Sequence, residues 1–360
     1  MDNEKTSEQE TGGMKKVYEH QQNKKLISSE LGDLYSNYLG DSLFTCVFEH
    51  HLTVVEDDEV KDFLEFALRI SRKHINSLEE IYAKEQIPKP VGFGEQDLRK
   101  DAPGLFSDLF MVFYVTQMAI EGLTTYASAL SSSSREDIVD YFKMCLDDTV
   151  LTYEKGSRLL LSKGKSIYPP SIPYPKQVDF VENASFISLL AGKDRPLTSL
   201  EIKHLQLNIN TNILGKALML GFSQVASSDK VRKYFQQGAK IADRQIREMG
   251  EFLMSANLPT PSTMDAHITD STTPPFSDKL MLYHTSLATG IGIQNYGMAV
   301  SKMMRHDLHG QFALLTADIA KYANKGLNLI IDKGWLEEPP TAPDRQRLSD
   351  MSTGDKRSNR

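Results

Sequence analysis

The side chains able to do chemistry are few and scattered. The one Glu-x-x-His in the chain is Glu201-Ile202-Lys203-His204. Four-helix carboxylate proteins that hold two metal ions take a Glu from each of two helices and a Glu-x-x-His from each of the other two. Here Thr198-x-x-Glu201 reads instead as a capping box, with Glu201 turned back to the first amides of a helix. Its counterpart earlier in the chain, Glu30-x-x-Asp33, has no histidine. The remaining candidates are Asp148, His74, Glu121 and Asp41 in the first half of the chain, and Asp318, His284 and Asn212 in the second. A carboxylate and imidazole set of this kind would suit iron or manganese. A histidine on a helix face is more commonly hydrogen-bonded than metal-bound, and metal ligation is not favoured here. No Gly-x-Gly-x-x-Gly, phosphate loop or Gly-x-Ser-x-Gly elbow occurs. No catalytic residue can be assigned, and no organic cofactor is expected.

The elements that must position these residues come in two copies. A shift of 171 aligns 26–90 with 197–261 at 14 identities in 65 positions, and a shift of 170 aligns 106–170 with 276–340 at 19 in 65. About 4 per window would arise between unrelated sequences of average composition. The chain is therefore an internal duplication. The expected organisation is a polar mobile tail over 1–25, a first domain over 26–170, a linker over 171–196, a second domain over 197–340, and a second mobile tail over 341–360.

Apolar residues recur at a spacing of three and four, as in Val60, Phe63, Leu64, Ala67, Leu68 and Ile75. Four helices per repeat follow, over 29–55, 57–84, 104–132 and 135–163, then 198–227, 229–256, 274–303 and 306–333. No segment reads as a strand. The first and third connections in each repeat are one or two residues, while the second is about 19 and rich in Pro and Gly. A helix of about 28 residues is roughly 42 Å long, and about 19 extended residues reach roughly 60 Å. The long connection can therefore run back along the whole bundle. The fold class is all-α: two tandem ferritin-like four-helix bundles, each with one long crossover between its second and third helices.

Most polar identities between repeats fall where helices begin or end. Asp58/Asp229, Asp108/Asp278 and Asp137/Asp307 belong to first turns, where amides are unpaired. Lys163/Lys333 and Gly164/Gly334 belong to last turns. Phe106-Ser107-Asp108, repeated as Phe276-Ser277-Asp278, reads as a hydrophobic staple with a cap. Only Asp148/Asp318 is a shared mid-helix carboxylate. His74 is matched by Gln245, Tyr114 by His284, Glu121 by Ile291, and His50-His51 by Gly221-Phe222. These mismatches argue against one site common to both halves.

The order Glu30-Leu31, Ile87-Pro88-Lys89-Pro90, Phe106-Ser107-Asp108, Asn295-Tyr296-Gly297 and Gly334-Trp335-Leu336-Glu337 resembles the domain-of-unknown-function family 3231. Tyr126-x-x-Ala129-Leu130 and the second Phe-Ser-Asp belong to the same pattern. The resemblance spans about 26–345. It implies tandem ferritin-like bundles in spore-forming Gram-positive bacteria, a link to sporulation or stress, and no established activity.

Composition bounds the rest. A net charge of −7 leaves no general drive toward nucleic acid or anionic membrane. Two cysteines exclude a disulfide scaffold and a four-thiolate zinc site. The first residues are polar, without a signal-peptide core, and the greasiest run, Leu105 to Ile120, is interrupted by polar side chains. A cytoplasmic, non-catalytic structural or interaction protein is the expected reading, with self-association or an unknown protein as partner and neither nucleic acid nor membrane. The alternatives are a metalloprotein or a bundle that binds a small molecule.

Overall fold

The computed structural model describes residues 25–188 and 195–354. Eight long helices form two sets of four: α1 (Ser28–Leu52), α2 (Asp58–Glu85), α3 (Asp108–Ser131) and α4 (Glu136–Ser162), then α5 (Ser199–Val225), α6 (Asp229–Ser255), α7 (Asp278–Lys302) and α8 (His306–Asp332). A short α9 (Arg345–Gly354) lies within the segment expected to be the second tail. Most of the expected N-terminal tail, and 189–194 of the linker, lie outside the described residues.

Helix ends follow local chemistry. Asp57 caps α2 by accepting from the amides of Glu59 and Val60. The ends of α2 and α6 are closed by Gln86 and Asn257, both with positive φ. Gly164 and Gly334 close α4 and α8 in the same way. Helices α3 and α7 begin four residues later than their apolar content suggests, because Ser107 and Ser277 are the caps and the preceding Leu105, Phe106 and Phe276 are used elsewhere.

Carboxylates at helix starts fix the topology by capping helices other than their own. Asp108, at the start of α3, accepts from the amides of Glu56 (3.1 Å) and Asp57 (2.9 Å) at the start of α2. Glu30, at the start of α1, accepts from Ser134 (2.8 Å) and Arg135 (2.9 Å) at the start of α4. Thus α2 and α3 start at one end of the bundle, and α1 and α4 at the other. The connection over 86–107 must therefore traverse the bundle, the single-crossover arrangement. Asp278 repeats the pattern on Ser227 and Ser228, and Glu201 repeats it on Met304 and Arg305. Glu201 also completes the expected capping box with Thr198 and pairs with Arg195.

The two crossovers meet. Arg99 N donates to Pro275 O (2.8 Å) and Ser107 N to His267 O (2.9 Å). At the equivalent positions, Thr269 N donates to Leu105 O (3.0 Å) and Ser277 N to Asp97 O (3.0 Å). Residue i bonding j while the equivalent of i bonds the equivalent of j is the signature of an isologous, two-fold interface. Two isolated bridges, Leu98 with Phe276 and Phe106 with Ile268, are the only extended pairing among the described residues.

Phe106 and Phe276 are driven across this interface. Phe276 meets the edge of His50 at 5.4 Å between ring centres. At the equivalent place Phe106 lies on Gly221, where an added Cβ would approach its ring to 2.7 Å. The unlike pairing of His50 with Gly221 therefore belongs to interface packing. The segments after α4 and α8 also cross over: Ile167 O accepts from Asn210, and the Glu337 carboxylate accepts from the amides of Val91 and Gly92.

Glu201 is fully buried and its carboxylate serves several amides and a guanidinium, whereas Asp58 is exposed. Glu201→Ala should lower stability by about 2–3 kcal/mol in denaturant unfolding, because amides and Arg195 lose their partner, while Asp58→Ala stays within about 0.5 kcal/mol.

Candidate functional site

Three of the four sequence-selected residues of the first repeat, Asp41, His74 and Asp148, converge in the middle of its bundle. His74 on α2 is 2% exposed and Asp41 on α1 is 4% exposed. The His74 ring bonds Asp41 Oδ2 through Nδ1 at 3.2 Å and Asp148 Oδ2 through Nε2 at 3.3 Å. Lys73 donates to the same Asp148 oxygen at 2.8 Å. Burial favours the neutral ring, but the Asp41 charge and the hydrogen bonds to both carboxylates outweigh it, pushing the His74 pKa up to about 12. His74 is thus clasped between two aspartates, with both ring nitrogens turned to carboxylate oxygens.

Beside it stands a hydrogen-bonded network that the candidate set had not included. Tyr126 donates to Asn37 Oδ1 at 2.9 Å, and the Asn37 amide donates to Tyr141. The rings of Tyr126 and Tyr141 meet that of His74 edge-on, at 5.9 and 6.4 Å. Asn37/Asn208 and Tyr126/Tyr296 are identities between the repeats, the one sequence signal that could have drawn them in.

In the second bundle the same positions hold a neutral copy. Asn212 stands for Asp41, Gln245 for His74 and Tyr296 for Tyr126. Asn212 donates to Tyr296 at 2.8 Å, and Tyr296 donates to Gln245 Oε1 at 2.6 Å. Asp318, the partner of Asp148, is half-exposed and pairs with Arg244 at the surface. The candidate carboxylates therefore do different work in the two halves.

His284 and Glu121 lie where the bundles meet. The Tyr114 hydroxyl and His284 Nε2 are 2.7 Å apart. These two residues are equivalents in the repeat, so this contact sits at the two-fold relation itself. Burial holds His284 neutral, with its pKa down at about 4, and its Nδ1 has no hydrogen-bond partner. Glu121 accepts from Asn295 of the second bundle at 2.9 Å. Burial pushes its pKa up to about 7 despite that bond. His51 is buried too, with its pKa down at about 3.

A cavity of about 240 Å³ lies among these residues, bordered by α1, α2, α3 and α4 and by α7 of the other bundle. Asp41, His74, Glu121 and His284 all border it. Its equivalent in the second bundle is about 40 Å³. The buried core reflects the difference. Leu205, Met249, Leu253, Ala299, Leu308 and Phe312 are continuous with the rest of the interior. Their equivalents Leu34, Leu78, Tyr82, Ala129, Ile138 and Phe142 form a separate cluster, cut off by the charged set and the cavity. Among the described residues, no group of three or more His, Cys, Asp or Glu is arranged to hold a metal ion. No described helix is long and apolar enough to cross a membrane.

A family model described as "Protein of unknown function (DUF3231)" matches residues 15–178 and again 185–348. Among solved structures, a "putative spore coat protein" of Bacillus halodurans C-125 is 19% identical over 44% of this chain and 99% of that one, with a TM-score of 0.37. No curated protein matches.

The clasp has a pH signature. A histidine whose folded pKa lies above its unfolded value contributes fully below about pH 6.5 and loses that contribution as pH rises toward 12. His51 and His284 act oppositely, weakening the fold as pH falls below about 6.5. Wild type should therefore lose stability relative to an Asp41→Asn, His74→Gln double variant by about 1 kcal/mol per pH unit between about pH 7 and 9. Below about pH 6 both should weaken in parallel, as measured by urea unfolding across pH.

Proposed function

We propose, for a chain that belongs to the DUF3231 family of proteins of unknown function, a non-catalytic structural role as a two-fold dimer fused into one polypeptide. The observation that carries this reading is the engagement of the mid-bundle charges with one another. His74 takes both Asp41 and Asp148, and Asp318 takes Arg244. A general base or nucleophile needs a free lone pair within reach of a substrate, and these groups spend theirs on one another or on a neighbouring cation. The isologous joint between crossovers supports the same reading, since it ties the two halves together through paired backbone hydrogen bonds. Self-association or an unknown protein partner and a cytoplasmic setting in a spore-forming cell belong to this proposal.

The competing metal reading would place iron or manganese on Asp148, His74 and Glu121. It requires His74 to surrender a proton and one of its two aspartates, a large rearrangement for a buried, bidentate imidazolium.

Elemental analysis of protein purified without chelator should find iron and manganese far below one per chain. The Asp41→Asn, His74→Gln variant should keep the helical content and oligomeric state of wild type. Near-stoichiometric metal that the double variant loses while remaining folded would overturn the structural reading.

A further inference from the structure

We propose that the first bundle is a receptor for a small apolar molecule carrying a protonated amine, bound in the cavity bordered by its own four helices and α7. The proposal goes beyond the structural role and does not depend on it.

The cavity is a product of divergence between the repeats. In the second bundle the phenol of Tyr322 stacks on Tyr234 at 4.3 Å, and its hydroxyl donates to Tyr234 O at 3.0 Å. Room for it comes from Gly238, where an added Cβ would clash with Met219 and with Tyr322 itself. In the first bundle the equivalents of Tyr322 and Gly238 are Thr152 and Ala67, and both border the cavity. One half is filled by a tyrosine that the other half lacks.

Size and lining restrict the occupant. An engineered apolar cavity of about 150 Å³ takes benzene, and drug-sized pockets begin near about 300 Å³. At about 240 Å³ this one suits a body of one or two rings or a short alkyl chain. Phe44, Phe48, Val115, Met118, Phe142 and Ile291 supply an apolar wall. The exposed Ser36 on α1 and Thr125 on α3 border the same space, which gives it a way out to solvent.

Charge decides the head group. Asp33, Asp41 and Glu121 present carboxylates, while the one protonated side chain on the wall, His74, is already shared between Asp41 and Asp148. His284 is neutral, and its unpartnered Nδ1 is a further buried polar atom at the wall. An anionic head would meet Asp33 and Glu121, which no cation offsets among the described residues, in a poorly solvated site. An ammonium group would relieve them.

Decylamine, decan-1-ol and decanoic acid, which differ in head group only, test this by calorimetry on the full chain. Decylamine should bind at least tenfold tighter than decan-1-ol, and decanoate weakest. An Ala67→Gly, Thr152→Tyr double variant, which copies the second bundle, should lower decylamine affinity at least tenfold with circular dichroism and melting preserved. Ala288→Phe, which narrows the cavity from α7, should do the same and decides the matter if the double variant misfolds. Asp33→Asn with Glu121→Gln should remove the preference for amine over alcohol. Decanoate binding as tightly as decylamine, affinities unchanged in the filled variants, or no binding by any of the three would overturn the proposal.

Discussion

A long crossover in a small bundle carries a row of amides and carbonyls that neither adjoining helix can satisfy, and buried groups of this kind must find partners. In this molecule the two crossovers find them in each other. Arg99 and Ser107 bond the second crossover as Thr269 and Ser277 bond the first. Everything else about the relation of the halves follows from that meeting: Phe106 and Phe276 are carried across it, Tyr114 reaches its own equivalent His284, and the segments after α4 and α8 settle on the opposite bundle. An apolar interior running through both bundles completes the joint.

Joining two copies in one chain frees them to diverge, because each position at the interface is then encoded twice. His50 and Gly221 show this at the joint, where one half fills space with an imidazole and the other vacates it for a phenyl ring. The middles of the bundles show it more deeply. The second has Asn212 and Gln245 where the first has Asp41 and His74, with hydrogen bonds but no charge, and Tyr322 packs into the remaining space. Burying an ion pair costs desolvation that a neutral network avoids. That the first half retains both its charges and its cavity is therefore the feature least explained by stability alone.

Much of this is visible in the sequence, and the omissions have physical causes. The duplication, the helices and the capping box at Glu201 rest on local spacing, which sequence carries directly. Asp108 and Glu30 are recognisable as helix-start residues, yet the amides they serve lie on other helices, 51 and 104 residues away. His74 stands out because it interrupts an apolar stripe, but its two aspartates come from α1 and α4, which only packing brings together. The cavity escapes notice for a different reason. Comparing repeats by identity highlights what they share, whereas the space depends on Thr152 and Tyr322 being unlike in size.

The central claim is that each bundle is incomplete without a second crossover to pair with. Sedimentation of the first repeat expressed alone, over 1–178, addresses it most directly. The account predicts a two-fold dimer assembled through the same crossover face, or a chain that fails to fold at all. A folded, monodisperse monomer at micromolar concentration would contradict it.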